Sequence, residues 1–170
     1  MNEKLEQYKV MFKEKRPEPW DAIPDIDLYM DQVLNYMQRQ HLGLKIDEKL
    51  TSSMVNNYTK QGVMPKAKGK KYNREHIAYL TAICLLKQVV SVSDSKTILD
   101  SQIADGEISS FYEKYTKLLD EELINVDNLM GTCDNDEEII DLALKLAISS
   151  YTQKLACQCL INSLEKEEEK

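Results

Sequence analysis

The sequence predicts a mainly α-helical fold: a winged helix-turn-helix with a small β-hairpin wing, followed by a C-terminal helical hairpin or bundle. Three observations predict it. The 170 residues include only five glycines and four prolines, whereas β proteins rich in turns need more of both. Apolar residues recur at spacings of three and four over several long segments. In the middle of the chain, a helical segment, a Gly-Val-Met-Pro turn and a basic loop follow one another.

Residues 1–24 are predicted to form a short amphipathic helix or an arm that docks through a few apolar anchors. Pro17, Pro19 and Pro24 exclude a continuous helix at its end, because proline lacks a backbone donor and clashes with the preceding turn. Asp25 is a favourable N-cap for the next helix, which we expect to end at about His41–Gly43. The apolar positions of that helix are Ile26, Met30, Val33, Leu34 and Met37.

A helix over about residues 52–61 lies near the centre of the predicted winged unit, which spans 25–104. A short helix around Asp47–Leu50 is expected before it, and Thr51 or Ser52 would cap it.

The wing is predicted where the chain turns after this helix. Gly62 stops the helix and Pro65 prevents it from resuming. Residues 66–71, with Gly69 near their centre, then form a tight basic loop or a two-stranded wing. Asn73 is expected to cap the helix that follows.

The helix after Asn73 has a broad apolar face, which predicts that it lies at the centre of the core. Its apolar positions are Ile77, Leu80, Ala82, Ile83, Cys84, Leu86 and Val90. Residues 91–94 are predicted to form a turn, and a fourth helix follows it.

Residues 107–164 are predicted to form a helical region for dimerisation or effector binding. One helix begins at Ile108, residues 131–136 interrupt the pattern, and a last helix runs from about 137 to 164, before a charged tail at 165–170. The wide apolar faces of this last helix suit a bundle partner better than a strict heptad seam. Its apolar positions are Ile139, Ile140, Leu142, Leu144, Leu146, Ile148, Tyr151, Leu155 and Leu160.

Basic residues are concentrated in residues 49–74, which contain seven of them and no acid, although the chain as a whole has a net charge of −7. Affinity for a polyanion depends on the local field at the contacting face and not on the sum over the chain. The segment therefore predicts a nucleic-acid partner. A solvated basic face, or one that docks an acidic protein, is the alternative.

The run Met54–Pro65 and the segment Lys70–Ile77 resemble the MerR-type winged helix. In that family a recognition helix ends in Tyr, a few polar residues, Gly, an apolar pair and Pro, and a wing ends in two basic residues and Tyr. The resemblance implies a transcription regulator that binds double-stranded DNA as a homodimer, and a small-molecule effector is a further expectation. The whole chain also resembles an uncharacterised bacterial family with blocks such as PDIDLYMDQV and REHIAYL, which implies a fold and no activity.

The candidate DNA-binding residues fall into three groups. The basic ones would neutralise backbone phosphates: Lys49, Lys60, Lys66, Lys68, Lys70, Lys71 and Arg74. The polar ones would reach base edges in the major groove: Ser52, Ser53, Asn56 and Asn57. The aromatic ones, Tyr58 and Tyr72, would place a hydroxyl on a phosphate or, equally, pack their rings in the core.

Two positions depart from the MerR pattern. Asn56 replaces the arginine usual in that family's recognition helix, and Ser95 stands where an apolar residue is expected. We therefore expect the wing to supply most of the affinity for DNA and the helix at 52–61 to supply any specificity.

Catalytic and metal-binding functions are not predicted. No nucleophile, base and orienting group come together in the sequence, and His76 is expected to be a packed side chain. Cys157 and Cys159 are two apart on a helix and point about 200° away from each other, so they cannot bind one metal ion. We expect no cofactor.

The sequence predicts a cytoplasmic protein with no membrane partner. It contains no apolar stretch of about 18 residues and no apolar core of a signal peptide near Met1. The four cysteines are not arranged as a disulfide framework, and we expect them to be reduced.

Overall fold

Helices make up most of the described chain, as predicted, and a small two-stranded antiparallel sheet accompanies them. The sheet pairs residues 28–29 with 71–72, so it is not the two-stranded wing predicted within residues 66–71, where a single bridge joins Lys68 and Lys71. The computed structural model describes residues 3–40, 49–103 and 107–164. The helices are α1 (Glu3–Glu14), α2 (Met30–Gln40), α3 (Ser52–Lys60), α4 (Arg74–Leu86), α5 (Val92–Ile103), α6 (Ile108–Met130) and α7 (Asp136–Asn162), with a short 3-10 helix at Trp20–Ala22. The strands are β1 (Leu28–Tyr29) and β2 (Lys71–Tyr72).

The predicted start of α2 is wrong. The helix begins at Met30, not after Asp25, because Leu28 pairs with Tyr72 and Tyr29 with Lys71 in the sheet. Leu28 is buried and Tyr29 is exposed, as expected for a strand with one face on the core.

Ile26, which was assigned to the apolar face of this helix, is instead 65% exposed. The sheet fastens the start of α2 to the segment that leads into α4.

α3 begins where the sequence predicts and ends at Lys60, one residue before the predicted end. The Thr51 hydroxyl accepts a hydrogen bond from the Met54 N–H at 3.3 Å, which makes Thr51 the N-cap. Gly62 ends the helix with a φ of +68°, a left-handed conformation that favours glycine. The predicted helix end at His41–Gly43 and residues 47–48 of the predicted short helix lie outside the described residues, while residues 49–50 are not helical.

α4 lies at the centre of the core, as predicted. Leu80, Ala82 and Ile83 are fully buried. The core also includes Ile23 near one end of the sequence and Tyr112 of α6 near the other, so it continues past residue 104 into α6.

Ser95, which stands where the MerR pattern has an apolar residue, is fully buried on α5. Its hydroxyl donates to the Ser91 carbonyl at 2.8 Å, which satisfies the polar group inside the core.

α1 is a short helix that packs on α6. Lys13 forms an ion pair with Asp127 at 3.6 Å, and Arg16 forms one with Asp120. After α1, the Tyr112 hydroxyl donates to the Glu18 carbonyl at 2.8 Å. These contacts attach the N-terminal residues to α6.

α7 starts one residue before the predicted position and packs on α5 and α6. Asn135 caps it by accepting a hydrogen bond from the Glu138 N–H at 3.0 Å. Ile161 is the buried residue of this helix. The predicted tail at 165–170 lies outside the described residues.

Candidate nucleic-acid interface

A tight basic turn carries most of the charge predicted for the wing. Within residues 66–71, here called the basic hairpin, the Lys68 N–H donates to the Lys71 carbonyl at 3.1 Å and the Lys71 N–H donates back at 3.0 Å. Gly69 and Lys70, the two central residues, have φ values of +58° and +65°. Positive φ at both positions is the mark of a type I′ turn, whose twist suits a two-residue hairpin.

The lysines of the basic hairpin project into solvent. Lys66, Lys68 and Lys70 are exposed. Lys71 is half-buried because its ammonium lies 5.6 Å from the centroid of the Tyr29 ring in the neighbouring strand. Four cations therefore lie on a hairpin of six residues.

His76 supports the base of the hairpin. Asn73 and His76 form a reciprocal capping box: the His76 N–H donates to Asn73 Oδ1 at 3.3 Å, and the Asn73 N–H donates to His76 Nδ1 at 3.2 Å. The other ring nitrogen, Nε2, is 3.4 Å from the Lys66 carbonyl oxygen. The Tyr72 ring meets the imidazole edge to face at 5.4 Å.

Burial lowers the pKa of His76 below its ordinary value, because a cation would lose its hydration there. Lys68 also lowers the pKa, whereas the Lys66 carbonyl, Glu75 and Asp27 oppose the shift. The neutral imidazole is the form that accepts the capping hydrogen bond, so burial and the capping box favour the same protonation state.

The solvent face of α3 contains the polar residues predicted to read bases. Ser52, Ser53, Asn56, Asn57 and Lys60 are exposed, and Lys49 before the helix is exposed as well. Val55 and Tyr58 on the opposite face are buried in the core. The side-chain oxygen of Asn57 accepts a hydrogen bond from Gln61 Nε2 at 3.2 Å.

α3 and the basic hairpin are held close together by a short buried connection. Val63 and Met64 are core residues, and the Val63 N–H donates to the Tyr58 carbonyl at 2.9 Å. The predicted DNA-binding residues therefore lie on two exposed surfaces, one on α3 and one on the basic hairpin. The turn between them is held in the core by Val63 and Met64.

Tyr58 and Tyr72 lie in the core, with 3% and 6% of their surfaces exposed. Burial also raises the pKa of Tyr72. This favours the packing interpretation of both rings over the phosphate-contact interpretation.

Arg74 attaches the N-terminal segment to the core. Its Nε donates to the Ile23 carbonyl at 3.0 Å, and its guanidinium stacks over the Trp20 ring at 5.5 Å. A guanidinium engaged on both its edge and its face has little capacity left for a phosphate. Of the seven basic residues, it is the one with a clear structural role.

Two features around this surface could not be predicted from the sequence. Lys96 of α5 lies beside the turn at Gly62. A Cβ atom built on Gly62 would be 3.5 Å from the Cε atom of Lys96. Lys96 is also paired with Asp100. Asp27, the residue before strand β1, lies close enough to His76 for its charge to act on the pKa of that side chain. Only the α4–α5 packing and the β1–β2 pairing reveal these neighbours.

An open apolar groove of about 480 Å³ lies away from the basic hairpin, between α4, α5 and α6. Its apolar lining is Leu85, Leu86, Ile98, Phe111, Tyr115, Leu118 and Leu119. Its volume is in the range of small-molecule sites. The predicted small-molecule effector stays a prediction.

Among the described residues, no group of three or more His, Cys, Asp or Glu side chains is placed to hold a metal ion. Burial raises the pKa of the Cys84 thiol to about 11, so the thiol stays protonated at neutral pH. None of the described helices has both the length and the apolar character needed to cross a membrane.

Comparison with known proteins gives one match. A family model described as a domain of unknown function, DUF1836, matches residues 18–117. No curated protein and no solved structure matches the chain. The matched residues include both strands, the basic hairpin, the helices from α2 to α5 and the start of α6. Because this match covers more than half of the 170 residues, the chain belongs to the DUF1836 family.

Proposed function

We propose that this protein is a DNA-binding transcription regulator whose α3 enters the major groove while the basic hairpin lies on the phosphate backbone. The observation that carries the proposal is the juxtaposition of the two exposed surfaces. The solvent face of α3 presents hydroxyl and amide groups, and the hairpin presents four lysines within six residues. Phosphate contacts position a protein on DNA, and side chains of the first kind read base edges.

The fold supports this use of the two surfaces. The β1–β2 pairing fixes the hairpin to the start of α2, and Val63 and Met64 hold the turn in the core. The hairpin therefore has a fixed position relative to α3. In this proposal the unit is a winged helix of the MerR type, consistent with the sequence resemblance.

The two surfaces have different tasks in the proposal. The hairpin lysines, together with Lys49 and Lys60, supply affinity through release of counterions. Asn56 and Asn57 of α3 supply specificity, since an amide can bond both N6 and N7 of adenine. Arg74, Tyr58 and Tyr72 are structural, because their side chains are engaged inside the domain.

Fluorescence anisotropy with labelled duplex DNA tests the proposal. The test variant replaces Lys68, Lys70 and Lys71 by glutamine. The control variant makes the same change at three exposed lysines away from the hairpin: Lys15, Lys117 and Lys145. Both variants change the net charge by the same amount, so a purely global charge effect would weaken them equally.

We expect the hairpin variant to lose at least about tenfold in affinity at constant salt, and the control to lose much less, because the three control lysines lie outside the proposed DNA contact and release no counterions from the DNA. No duplex binding by the wild-type protein at low salt would contradict the proposal. Capture of an acidic protein by the same lysines would then support the alternative of a protein-docking face, which the lack of a cation at Asn56 favours.

A further inference from the structure

An open cleft of about 360 Å³ lies between the 3-10 helix, α4, the end of α5 and the start of α6. It shares none of its described lining residues with the apolar groove, so the two are separate cavities. Its volume is in the range of small-molecule sites. The lining of this cavity, here called the aromatic cleft, includes two aromatic rings, two carboxylates and two isoleucines: Trp20, Tyr79, Glu75, Glu107, Ile103 and Ile108.

The two carboxylates of the aromatic cleft lie at the N-terminal ends of helices. Glu75 is the second residue of α4, and Glu107 is the N-cap residue of α6. Negative charge is favourable at both places because the helix dipole is positive at that end. The Glu107 side chain makes no capping hydrogen bond and accepts one from the Ser109 hydroxyl at 3.3 Å. Both carboxylates are exposed, so a ligand in the cleft can reach them.

The negative charge of the aromatic cleft is not balanced by a cation of its own. Within the described parts of the chain, neither Glu75 nor Glu107 forms an ion pair. None of the described lining residues is a lysine, an arginine or a histidine. Two uncompensated carboxylates on the wall of one cleft favour a cation as its occupant.

Tyr79 senses this negative potential. It lies one turn after Glu75 on α4 and is half-buried. Burial raises the pKa of the Tyr79 hydroxyl, and the charges of Asp100 and Glu75 raise it further. Asp100 is paired with Lys96, so Glu75 is the acid near this ring that still lacks a counter-charge.

Trp20 already contacts one cation. The Arg74 guanidinium lies 5.5 Å from the centroid of the indole ring, where the ring quadrupole attracts positive charge. Because Arg74 is also held by the Ile23 carbonyl, it stays on the ring and does not pair with the neighbouring Glu75. Trp20 lines the cleft as well, so part of the indole surface remains open to a ligand.

We propose that the aromatic cleft binds a small organic cation, an amine or quaternary ammonium group attached to an apolar body. Glu75 and Glu107 would attract the charged head, and the rings of Trp20 and Tyr79 would contact it. Aromatic surfaces are the groups with which proteins recognise quaternary ammonium ligands. Ile103 and Ile108 would contact the apolar body. The same carboxylates would repel an anion, which gives the cleft its selectivity.

The inference does not depend on the proposed DNA binding. None of the described residues that line the aromatic cleft belongs to the lysines and asparagines assigned to DNA. Cation binding by a protein that ignores DNA, or DNA binding by a protein that ignores the cation, would separate the two proposals.

Nuclear magnetic resonance of the full chain tests the cleft with benzyltrimethylammonium chloride. Trp20 is the single tryptophan of the sequence, so its indole N–H gives one signal that reports from the cleft. The matched neutral probe is 2-methyl-1-phenyl-2-propanol, which has nearly the same shape without the charge. We expect the cation to shift the Trp20 signal saturably with a dissociation constant below about 1 mM. The alcohol should bind at least about tenfold more weakly, because it loses the ionic and cation–π contributions.

Removal of the two carboxylates tests their part in binding. The variant Glu75→Gln with Glu107→Gln should raise the dissociation constant of the cation at least about fivefold. The control variant is Glu121→Gln with Glu137→Gln, two exposed acids outside the cleft. It changes the net charge by the same amount and should change the dissociation constant by less than about twofold. The amide spectra of both variants show whether the fold is kept.

The Tyr79 ring has its own pair of variants. Tyr79→Leu should raise the dissociation constant about threefold, because it keeps an apolar side chain but removes the aromatic face. Tyr79→Phe keeps that face and should bind the cation as the wild-type protein does. A change confined to folding would not distinguish the charged probe from the neutral one.

Three results would each overturn the inference. They are a Trp20 signal that does not move with the cation, equal affinity for the cation and the alcohol, and equal affinity of the two double glutamine variants for the cation. The last result would mean that Glu75 and Glu107 only stabilise the ends of their helices.

Discussion

The region matched by the family model and α7 contain similar apolar side chains in opposite environments. Leu80, Ile83 and Leu99 in the matched region are fully buried, whereas Leu144 and Ile148 on α7 are more than half exposed. The difference lies in the neighbours: α4 is surrounded by α2, α5, α6 and β2, and α7 packs along one side only. Apolar content alone therefore does not tell whether a helix is surrounded by the core or leaves one side exposed.

Truncation of one leucine in each region should give the largest contrast in stability. Leu80→Ala should lower the free energy of unfolding by about 2–5 kcal/mol, because it removes buried methyl groups and leaves a cavity. Leu144→Ala, at an exposed site, should change it by less than about 0.5 kcal/mol in dilute solution. Urea denaturation of both variants measures the difference, and equal losses would contradict the contrast.

The asparagine N-caps of α4 and α7 allow a second comparison of the two regions. Asn73 caps α4 and Asn135 caps α7, each by accepting from the N–H three residues on. Asn73→Ala should lower global stability by about 1 kcal/mol. Asn135→Ala should fray the first turn of α7 and leave the unfolding midpoint of the core nearly unchanged, because α7 contributes little to that core. Hydrogen exchange resolved by residue would distinguish fraying from global loss.

The stability of the matched region should also depend on pH through His76. Its pKa is lowered on folding from an ordinary value of 6.5, so the unfolded chain binds a proton at a pH where the folded chain does not. Its contribution to stability is full above about pH 6.5 and is lost as the pH falls below this value.

Thermal unfolding between pH 5 and 8 measures this effect. His76→Gln is the control, because glutamine at this position also serves in a capping box but does not titrate. The wild-type melting temperature should fall more steeply than that of the variant below pH 6.5. Parallel curves would show that His76 is not responsible.

Local chemistry made much of the fold predictable from the sequence. Gly62 and Pro65 must interrupt a helix whatever surrounds them, and Asn73 is a favourable cap in any context. The start of α2 was mispredicted because the Leu28–Tyr29 strand is held by residues more than forty positions away. A helical pattern of apolar residues cannot report such a long-range pairing.

The candidate site was predictable in composition but not in accessibility. The run of lysines in residues 66–71 indicated a basic surface, and these side chains are exposed or half-exposed. The sequence did not distinguish them from Arg74, whose guanidinium is held by the Ile23 carbonyl and the Trp20 ring. It also gave no sign of Lys96, which joins the surface through the packing of α5 near Gly62.

The salt dependence of duplex binding tests the central claim most directly, because it counts the phosphates that the basic residues neutralise. If about five lysines contact phosphates, the logarithm of the binding constant should fall with the logarithm of salt concentration with a slope of about −4.5. The variant with Lys68, Lys70 and Lys71 changed to glutamine should have a slope of about −2, since each contact contributes about one unit. A slope near zero for the wild-type protein, or the same slope for both proteins, would contradict the account.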